Sequence, residues 1–96
     1  MPYQLILTGD IKRQLGDLPG HIKAIARQQM AALITNPRPP RCKELGGHAG
    51  HYRLWLGPRY RLVWRVREDE QTIEVEYVGP KSPDLYKKLG LGRPQE

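Results

Sequence analysis

Residues 51–67 read HYRLWLGPRYRLVWRVR and residues 72–79 read TIEVEYVG, and these two runs predict three consecutive antiparallel strands. Side chains alternate between the two faces of a strand. In the first two strands, the apolar and aromatic residues of one face all stand at even positions: Tyr52, Leu54, Leu56, Tyr60, Leu62, Trp64 and Val66. The even-numbered residues of both strands can face one core only if the two residue numbers of each cross-strand pair add up to an even number. A three-residue loop of residues 57–59 meets that condition.

The third strand is placed by pairing Arg67 with Thr72 across the loop of residues 68–71. This register predicts two further core pairs, Trp64 with Val75 and Leu62 with Tyr77. It also sets Arg65 opposite Glu74, which predicts an ordinary cross-strand ion pair. We therefore expect a meander with one apolar face and one face rich in arginine.

The register predicts which residues lie on the arginine-rich face. Arg53 and Arg61 become near neighbours on adjacent strands, and this register sets a carboxylate directly opposite neither of them. Around them we expect Trp55, Arg59, Val63 and Val78. Like charges side by side in a sheet are unfavourable unless an anion binds between them. The pattern predicts an anion site, with a plain solvated sheet face as the alternative.

The first third of the chain predicts one strand and two helices. Residues 3–7 are short and apolar, and Thr8 or Asp10 would cap the helix that follows. The apolar face of that helix consists of Ile11, Leu15 and Leu18. A second helix, from about residue 19 to residue 35, carries a longer stripe of Ile22, Ile25, Ala26, Met30, Leu33 and Ile34. We expect the two helices to form a hairpin that covers the apolar sheet face.

Residues 36–50 predict a connection without regular structure, because prolines crowd positions 37–40 and glycines stand at 46, 47 and 50. The tail predicts one short helix from Ser82 to Leu89, with Ser82 as its cap. The predicted fold class is therefore α+β: an N-terminal strand, a helical hairpin, a three-stranded antiparallel meander and a short C-terminal helix.

Composition limits the class of protein. Ninety-six residues predict a single domain spanning residues 1–96. The net charge of +6 favours a polyanionic or acidic partner. Cys42 is the only cysteine, which excludes an intrachain disulfide and a multi-cysteine metal site and suits a reducing compartment. With neither a signal peptide nor a long apolar run in the sequence, we expect a cytoplasmic protein and no membrane partner.

Four short runs and one tyrosine carry a resemblance to a known family. They are KELG at 43–46, YRLWL at 52–56, YRLVW at 60–64, VGPK at 78–81, and Tyr86. Their order resembles the RelE/ParE superfamily of toxins from type II toxin–antitoxin modules, and nearly the whole chain follows it. RelE-like members cleave mRNA in the ribosomal A site, using the 2'-hydroxyl of the substrate as nucleophile, and are neutralised by a protein antitoxin. The resemblance implies a RelE-like fold and a ribosome-dependent endoribonuclease, or mRNA interferase.

The resemblance also implies roles for single residues. Arg53 matches the first basic position of the family's site, Arg61 its central arginine, Lys81 the basic residue after the last strand, and Tyr86 the tyrosine of the terminal helix. Trp55 stands where RelE has a lysine, and an indole can stack on a base. Lys81 stands where RelE has an arginine, so the bidentate fork on a phosphate is lost.

Elementary chemistry divides the catalytic tasks. Arginine is a poor base, so Arg53 and Arg61 would position the phosphate and stabilise the transition state. Lys81 and Tyr86 would assist the proton transfers or orient the hydroxyl, and His51, on the same face as Arg53, is a further candidate for proton transfer. The remaining predicted RNA contacts are Trp55, Arg59, Arg65 and Lys43. His48 and His51 alone do not predict a metal site, and we expect no metal and no small-molecule cofactor.

Two alternatives stay open. A ParE-like toxin would share the fold but block DNA gyrase through protein contacts, and a non-catalytic protein would use the basic sheet only to bind RNA or an acidic peptide. For a toxin, the family implies a RelB-like antitoxin, besides the ribosome and mRNA as partners. We expect that antitoxin to be acidic where it binds, to fold on the exposed Trp55, Val63 and Val78, and to displace the helix of residues 82–89.

Overall fold

The computed structural model describes residues 2–82 of the chain. Its elements follow the order β1 (Gln4–Ile6), α1 (Gly9–Gly16), α2 (Gly20–Leu33), β2 (Lys43–Leu45), β3 (His48–Leu56), β4 (Tyr60–Arg67) and β5 (Thr72–Pro80). The α+β class and the order of strand, helical hairpin and meander are confirmed. The predicted helix of residues 82–89, and Tyr86 with it, lies outside the described residues beyond Ser82.

The five strands form one mixed sheet in the order β1-β5-β4-β3-β2. β1 runs parallel to β5, and every other pair is antiparallel. The sequence-based prediction missed β2, which pairs Lys43 with Arg53 and Glu44 with Tyr52 before a register shift. Three residues between prolines and glycines are too few for an alternating pattern to stand out, so residues 43–45 were wrongly predicted to be part of a connection.

The two helices pack on the even-numbered face of the meander, as predicted. The side chain of Thr8 caps α1 by accepting a hydrogen bond from the backbone N–H of Ile11 at 3.3 Å. One core contains the apolar stripes of both helices and the even positions of β3 and β4: Ile11, Leu18, Ile22, Ala26, Met30, Leu33, Leu54, Leu56, Leu62, Trp64 and Val66. Among residues 2–82, no helix is long and apolar enough to cross a membrane.

The register between β3 and β4 is the predicted one. Leu56 pairs with Tyr60 around the three-residue loop, and Tyr52 pairs with Trp64. The ring of Tyr52 also stacks on the indole of Trp64, with centroids 6.0 Å apart. Trp64 is fully buried, and its Nε1–H donates to the carbonyl of Pro37 at 3.0 Å. This one side chain therefore joins the core to the proline-rich connection.

The predicted register between β4 and β5 is confirmed only in part. Arg67 pairs with Thr72 and Trp64 with Val75, as predicted, but the register then shifts, so that Leu62 pairs with Val78. The predicted pairing of Leu62 with Tyr77 is wrong. A β-bulge inserts one extra residue into one strand, and every later side chain changes face.

The bulge corrects the predicted content of the arginine-rich face. Val78 turns into the core, with 1 % of its surface exposed. Gly79 takes the position opposite Arg61, and a Cβ there would lie 2.9 Å from the hydroxyl of Tyr77. Because Gly79 shares that face with Arg61, Tyr77 lies there too. Val63 is also fully buried, so the prediction of an exposed Val63 and Val78 is wrong.

A polar network fastens the proline-rich connection to the sheet. Arg38 donates from Nε to the hydroxyl of Tyr52 at 2.8 Å and forms an ion pair with Glu68. Tyr3 donates to the other oxygen of Glu68 at 2.6 Å. The bond from Tyr3, and then the one from Arg38, hold the pKa of Glu68 below its ordinary value near 4.5.

We expect Glu68→Gln to lower Tm at neutral pH by about 2 to 4 °C. A carboxylate whose pKa is lowered by folding stabilises the folded state above its ordinary pKa, and that contribution is lost as pH falls through the lowered value. The difference in Tm between wild type and Glu68→Gln should therefore be present at pH 7 and shrink below about pH 4.5.

Thermal unfolding between pH 3 and pH 8 checks this expectation. Asp69→Asn is the matched control, because it removes a neighbouring exposed carboxylate of the same loop. A Tm difference for Glu68→Gln that is the same at pH 3 and pH 7 would contradict the ionic contribution.

Candidate functional site

The predicted site lies on the face of the sheet turned away from the two helices, which we call the outer face. In β3 and β4, Arg53 pairs with Val63 and Trp55 pairs with Arg61. Paired residues share a face, so Arg53 and Arg61 are diagonal neighbours on adjacent strands. The structure thus brings together the two arginines that the register predicts to be adjacent.

The two arginines are more buried than an open sheet face would make them. Arg53 is 8 % exposed and Arg61 only 2 %. Each also takes part in a further polar or ring interaction, so neither is a free cation. This burial does not fit the alternative of a plain solvated sheet face. Reduced contact with water strengthens the attraction between a guanidinium and an anion that reaches it.

Trp55 lies between two cations that the sequence analysis places in the site. The guanidinium carbon of Arg61 is 4.2 Å from the ring centroid, and Nζ of Lys81 is 5.6 Å from it. Both distances are in the range of cation–π attraction. The backbone N–H of Lys81 donates to the carbonyl of Arg59 at 2.9 Å, which fixes the end of β5 beside the β3–β4 loop. The indole is nevertheless 43 % exposed, so part of its surface remains available for stacking.

His51 has a carboxylate partner that the sequence analysis did not find. Its Nδ1 lies 2.7 Å from Oε1 of Glu76, and the two side chains are only 14 % and 22 % exposed. Glu76 stands between Val75 and Tyr77, at the point where the register of β5 shifts. The predicted register put Glu76 diagonal to Arg61. No sequence signal marks the bulge that brings it to His51 instead.

The remaining predicted contacts surround this group. Lys43 is exposed opposite Arg53, Arg59 is exposed in the β3–β4 loop, and Arg65 pairs with both His51 and Glu74 in the register. The predicted ion pair between Arg65 and Glu74 is wrong, because the Glu74 carboxylate instead accepts from Nε of Arg67 at 2.6 Å. The long side chain of Arg67 reaches the diagonal position on β5, so Glu74 bonds to Arg67 and not to Arg65 directly opposite.

A cavity of about 310 Å³ lies beside the indole at the edge of β3. It is lined by Arg41, Leu54, Trp55 and Gly57. Arg41 and Leu54 also line a neighbouring cavity of about 240 Å³, together with Gln29, Pro39 and Pro40. Arg41 was not among the predicted site residues, because the sequence of a proline-rich connection does not show which way the connection folds back.

The part of the chain that the structure describes contains no cluster of metal-ligating side chains. Between residues 2 and 82 there is no group of three or more His, Cys, Asp and Glu side chains that could hold a metal ion. The rings of His48 and His51 meet edge to face, with centroids 6.4 Å apart.

Solved structures of other proteins share this fold. A double mutant of the E. coli toxin RelE in the free state has 20 % identity over 94 % of this chain and 96 % of its own, with a TM-score of 0.78. The toxin–antitoxin complex RelBE2 from Mycobacterium tuberculosis has 25 % identity over 84 % of this chain and 100 % of the matched chain, with a TM-score of 0.68. A YoeB/ParE toxin from Agrobacterium tumefaciens has 17 % identity over 85 % of this chain and 100 % of its own, with a TM-score of 0.66.

No protein-family model matches the sequence, and the comparison with curated proteins gives no significant match. The structural similarity therefore shows the fold, which is that of the RelE-like toxins.

Proposed function

We propose that this chain is the toxin of a type II toxin–antitoxin module and that it cleaves mRNA in the ribosomal A site. The RelE-like fold supports the toxin assignment. The observation that carries the nuclease assignment is the group of Arg53, Arg61, Trp55 and Lys81 at one end of the outer face. It combines cations for a phosphate with an exposed ring for a base, which is the chemistry that single-stranded RNA requires.

Each residue of this group has a task in the proposed reaction. The 2'-hydroxyl attacks the adjacent phosphate, and negative charge builds up on the phosphate oxygens. Arg53 and Arg61 bind those oxygens and stabilise the added charge. The exposed part of Trp55 stacks on a base of the codon, and Lys81 adds a third cation near the same ring. The cavity beside Trp55 and Arg41 offers space for the neighbouring nucleotide.

We expect Trp55→Ala to weaken cleavage about 10-fold at low ribosome concentration, since a base–aromatic stack contributes about 1 to 3 kcal/mol to binding. Trp55→Phe keeps an aromatic face and should stay within about 3-fold of wild type. Single-turnover cleavage of mRNA on purified ribosomes, measured over a range of ribosome concentrations, gives the result. Equal losses in the two variants would show that stacking is not the role of this ring.

The site also needs partners that follow from this function. We propose a cytoplasmic protein that acts on ribosomes and mRNA and is neutralised by a RelB-like antitoxin. The RelBE2 neighbour was solved as a toxin–antitoxin complex. With Val63 and Val78 buried, Trp55 is the exposed large apolar side chain of the outer face that an antitoxin can cover.

A ParE-like toxin is the second candidate function. Trp55 replaces a lysine of the RelE pattern, and the Agrobacterium neighbour is named a YoeB/ParE toxin. Mapping mRNA 5' ends on translating ribosomes separates the two functions. Cuts in phase with codons support the nuclease, whereas intact mRNA together with gyrase arrest on relaxed DNA supports the ParE-like activity.

A further inference from the structure

The hydrogen bond between His51 and Glu76 is a part-buried polar contact of the outer face that the proposed function leaves unused. Nδ1 of His51 lies 2.7 Å from Oε1 of Glu76. An ionised carboxylate only accepts hydrogen bonds, so the imidazole donates its Nδ1–H. This fixes the tautomer, because in a neutral ring with a proton on Nδ1 the other nitrogen, Nε2, carries the lone pair.

We propose that His51 is the general base of the cleavage reaction and that Glu76 is the positioning residue that holds it. This inference rests on the proposed function and deepens it, since it supplies the proton acceptor that the arginines cannot be. His51 and Arg53 are two residues apart on β3 and share the outer face. Two residues of strand span about 6.6 Å, so the imidazole is a close neighbour of the phosphate-binding arginine.

The bulge in β5 is what makes the pair possible. β3 and β5 are not adjacent, because β4 runs between them. Glu76 occupies the extra position between Val75, which pairs with Trp64, and Tyr77, which pairs with Val63. From there its side chain reaches across β4 to His51. A bulge that re-aims one side chain is a common device next to active sites.

The proposed proton transfer balances as follows. Nε2 of His51 takes the proton of the 2'-hydroxyl while the 2'-oxygen forms a bond to phosphorus. The bond between phosphorus and the 5'-oxygen breaks, and that oxygen takes a proton from water. The products are a 2',3'-cyclic phosphate and a free 5'-hydroxyl, and the imidazole is left as imidazolium, whose proton then neutralises the hydroxide that the water leaves behind. Hydrogen bonding to Glu76 stabilises that imidazolium, in the way a buried carboxylate supports a catalytic histidine.

Several charged side chains surround His51. The titratable and charged side chains that face it are His48 and Arg53 on β3, Lys43 on β2, Arg65 on β4, and Glu74 and Glu76 on β5. Glu44 lies nearby on β2 but bonds to the backbone N–H of Gly50 at 3.1 Å. Glu76 is the carboxylate in direct contact with the imidazole.

Removing the charge of Glu76 therefore has a defined effect. We expect Glu76→Gln to lower the single-turnover rate about 10- to 100-fold, because the imidazole loses the contact that holds its tautomer. We expect His51→Ala to lower the rate at least about 100-fold. Glu74→Gln is the matched control. It removes a carboxylate of the same strand, one that bonds to Arg67 and not to His51, so this variant should cleave at the wild-type rate.

NMR of the imidazole nitrogens gives a readout that does not depend on cleavage. In the wild-type protein at pH 8, His51 should be protonated on Nδ1, and Glu76→Gln should increase the share of the Nε2–H tautomer. Wild-type cleavage by His51→Ala would overturn the base assignment, and an unchanged tautomer in Glu76→Gln would overturn the positioning role. If the wild-type protein cuts no mRNA at all, the proposed function fails and the base assignment fails with it, whatever the tautomer.

Discussion

Arg61→Ala is expected to reduce mRNA cleavage by about 10²- to 10³-fold, the loss typical of removing one preorganised charge donor from a transition state. The reason is the position of the guanidinium, which stacks on Trp55 at 4.2 Å and lies diagonal to Arg53. With 2 % of its surface exposed, it keeps little contact with water, which would strengthen its attraction to a phosphate that reaches it. Single-turnover cleavage on programmed ribosomes measures the loss.

Two further variants serve as controls for this prediction. Arg61→Lys keeps the positive charge but loses the planar fork, so we expect an intermediate loss of about 10-fold. Arg13→Ala removes an exposed arginine of α1 that pairs with Asp10, and it should cleave at the wild-type rate. A folded Arg61→Ala protein, verified by circular dichroism, that cleaves like wild type would refute the central role of this side chain.

Trp64→Ala is expected to be the most destabilising single substitution that we discuss. Truncating a fully buried tryptophan costs about 3 to 5 kcal/mol, which is a large part of the stability of about 5 to 15 kcal/mol of an ordinary domain. The substitution also removes the donor to the Pro37 carbonyl and the ring on which Tyr52 stacks. We expect Tm to fall by about 15 to 30 °C.

Trp55→Ala is the matched control for that loss, because it removes the same side chain from the opposite face of the sheet. Its indole is 43 % exposed, whereas that of Trp64 is fully buried. Trp64→Phe keeps an aromatic ring in the core but loses the bond to Pro37 and part of the buried indole volume, so its loss should lie between wild type and Trp64→Ala. Urea unfolding of the three variants checks the order, and a midpoint for Trp64→Ala no lower than that for Trp55→Ala would contradict it.

Most of the fold could be predicted because period-two alternation is a strong signal in long strands. It gave the core residues of β3 and β4 and the pairing of Tyr52 with Trp64, since any one-residue slip would expose a whole apolar set. The bulge in β5 could not be predicted in this way. One extra residue leaves composition and length almost unchanged, and its consequences appear only in space: Val78 enters the core and Glu76 reaches His51.

The candidate site was also predictable only where it depends on strand alternation, and not where it depends on tertiary contacts. Residue type and strand parity were enough to place Arg53, Arg61 and Trp55 together, and the structure adds the ring contacts of Trp55 with Arg61 and Lys81. The burial of the two arginines was not predictable, because alternation says which face a residue occupies and nothing about what covers that face. The partner of His51 and the place of Arg41 beside Trp55 depend on tertiary contacts alone.

The parallel pairing of β1 with β5 has a consequence for synthesis of the protein. Gln4 finds its partner in Thr72, far along the chain, and such distant contacts form slowly because a long loop must close first. A nascent chain can build its helices early, but the sheet cannot close until β5 has left the ribosome. We therefore expect the outer face to form late in folding, after the two helices.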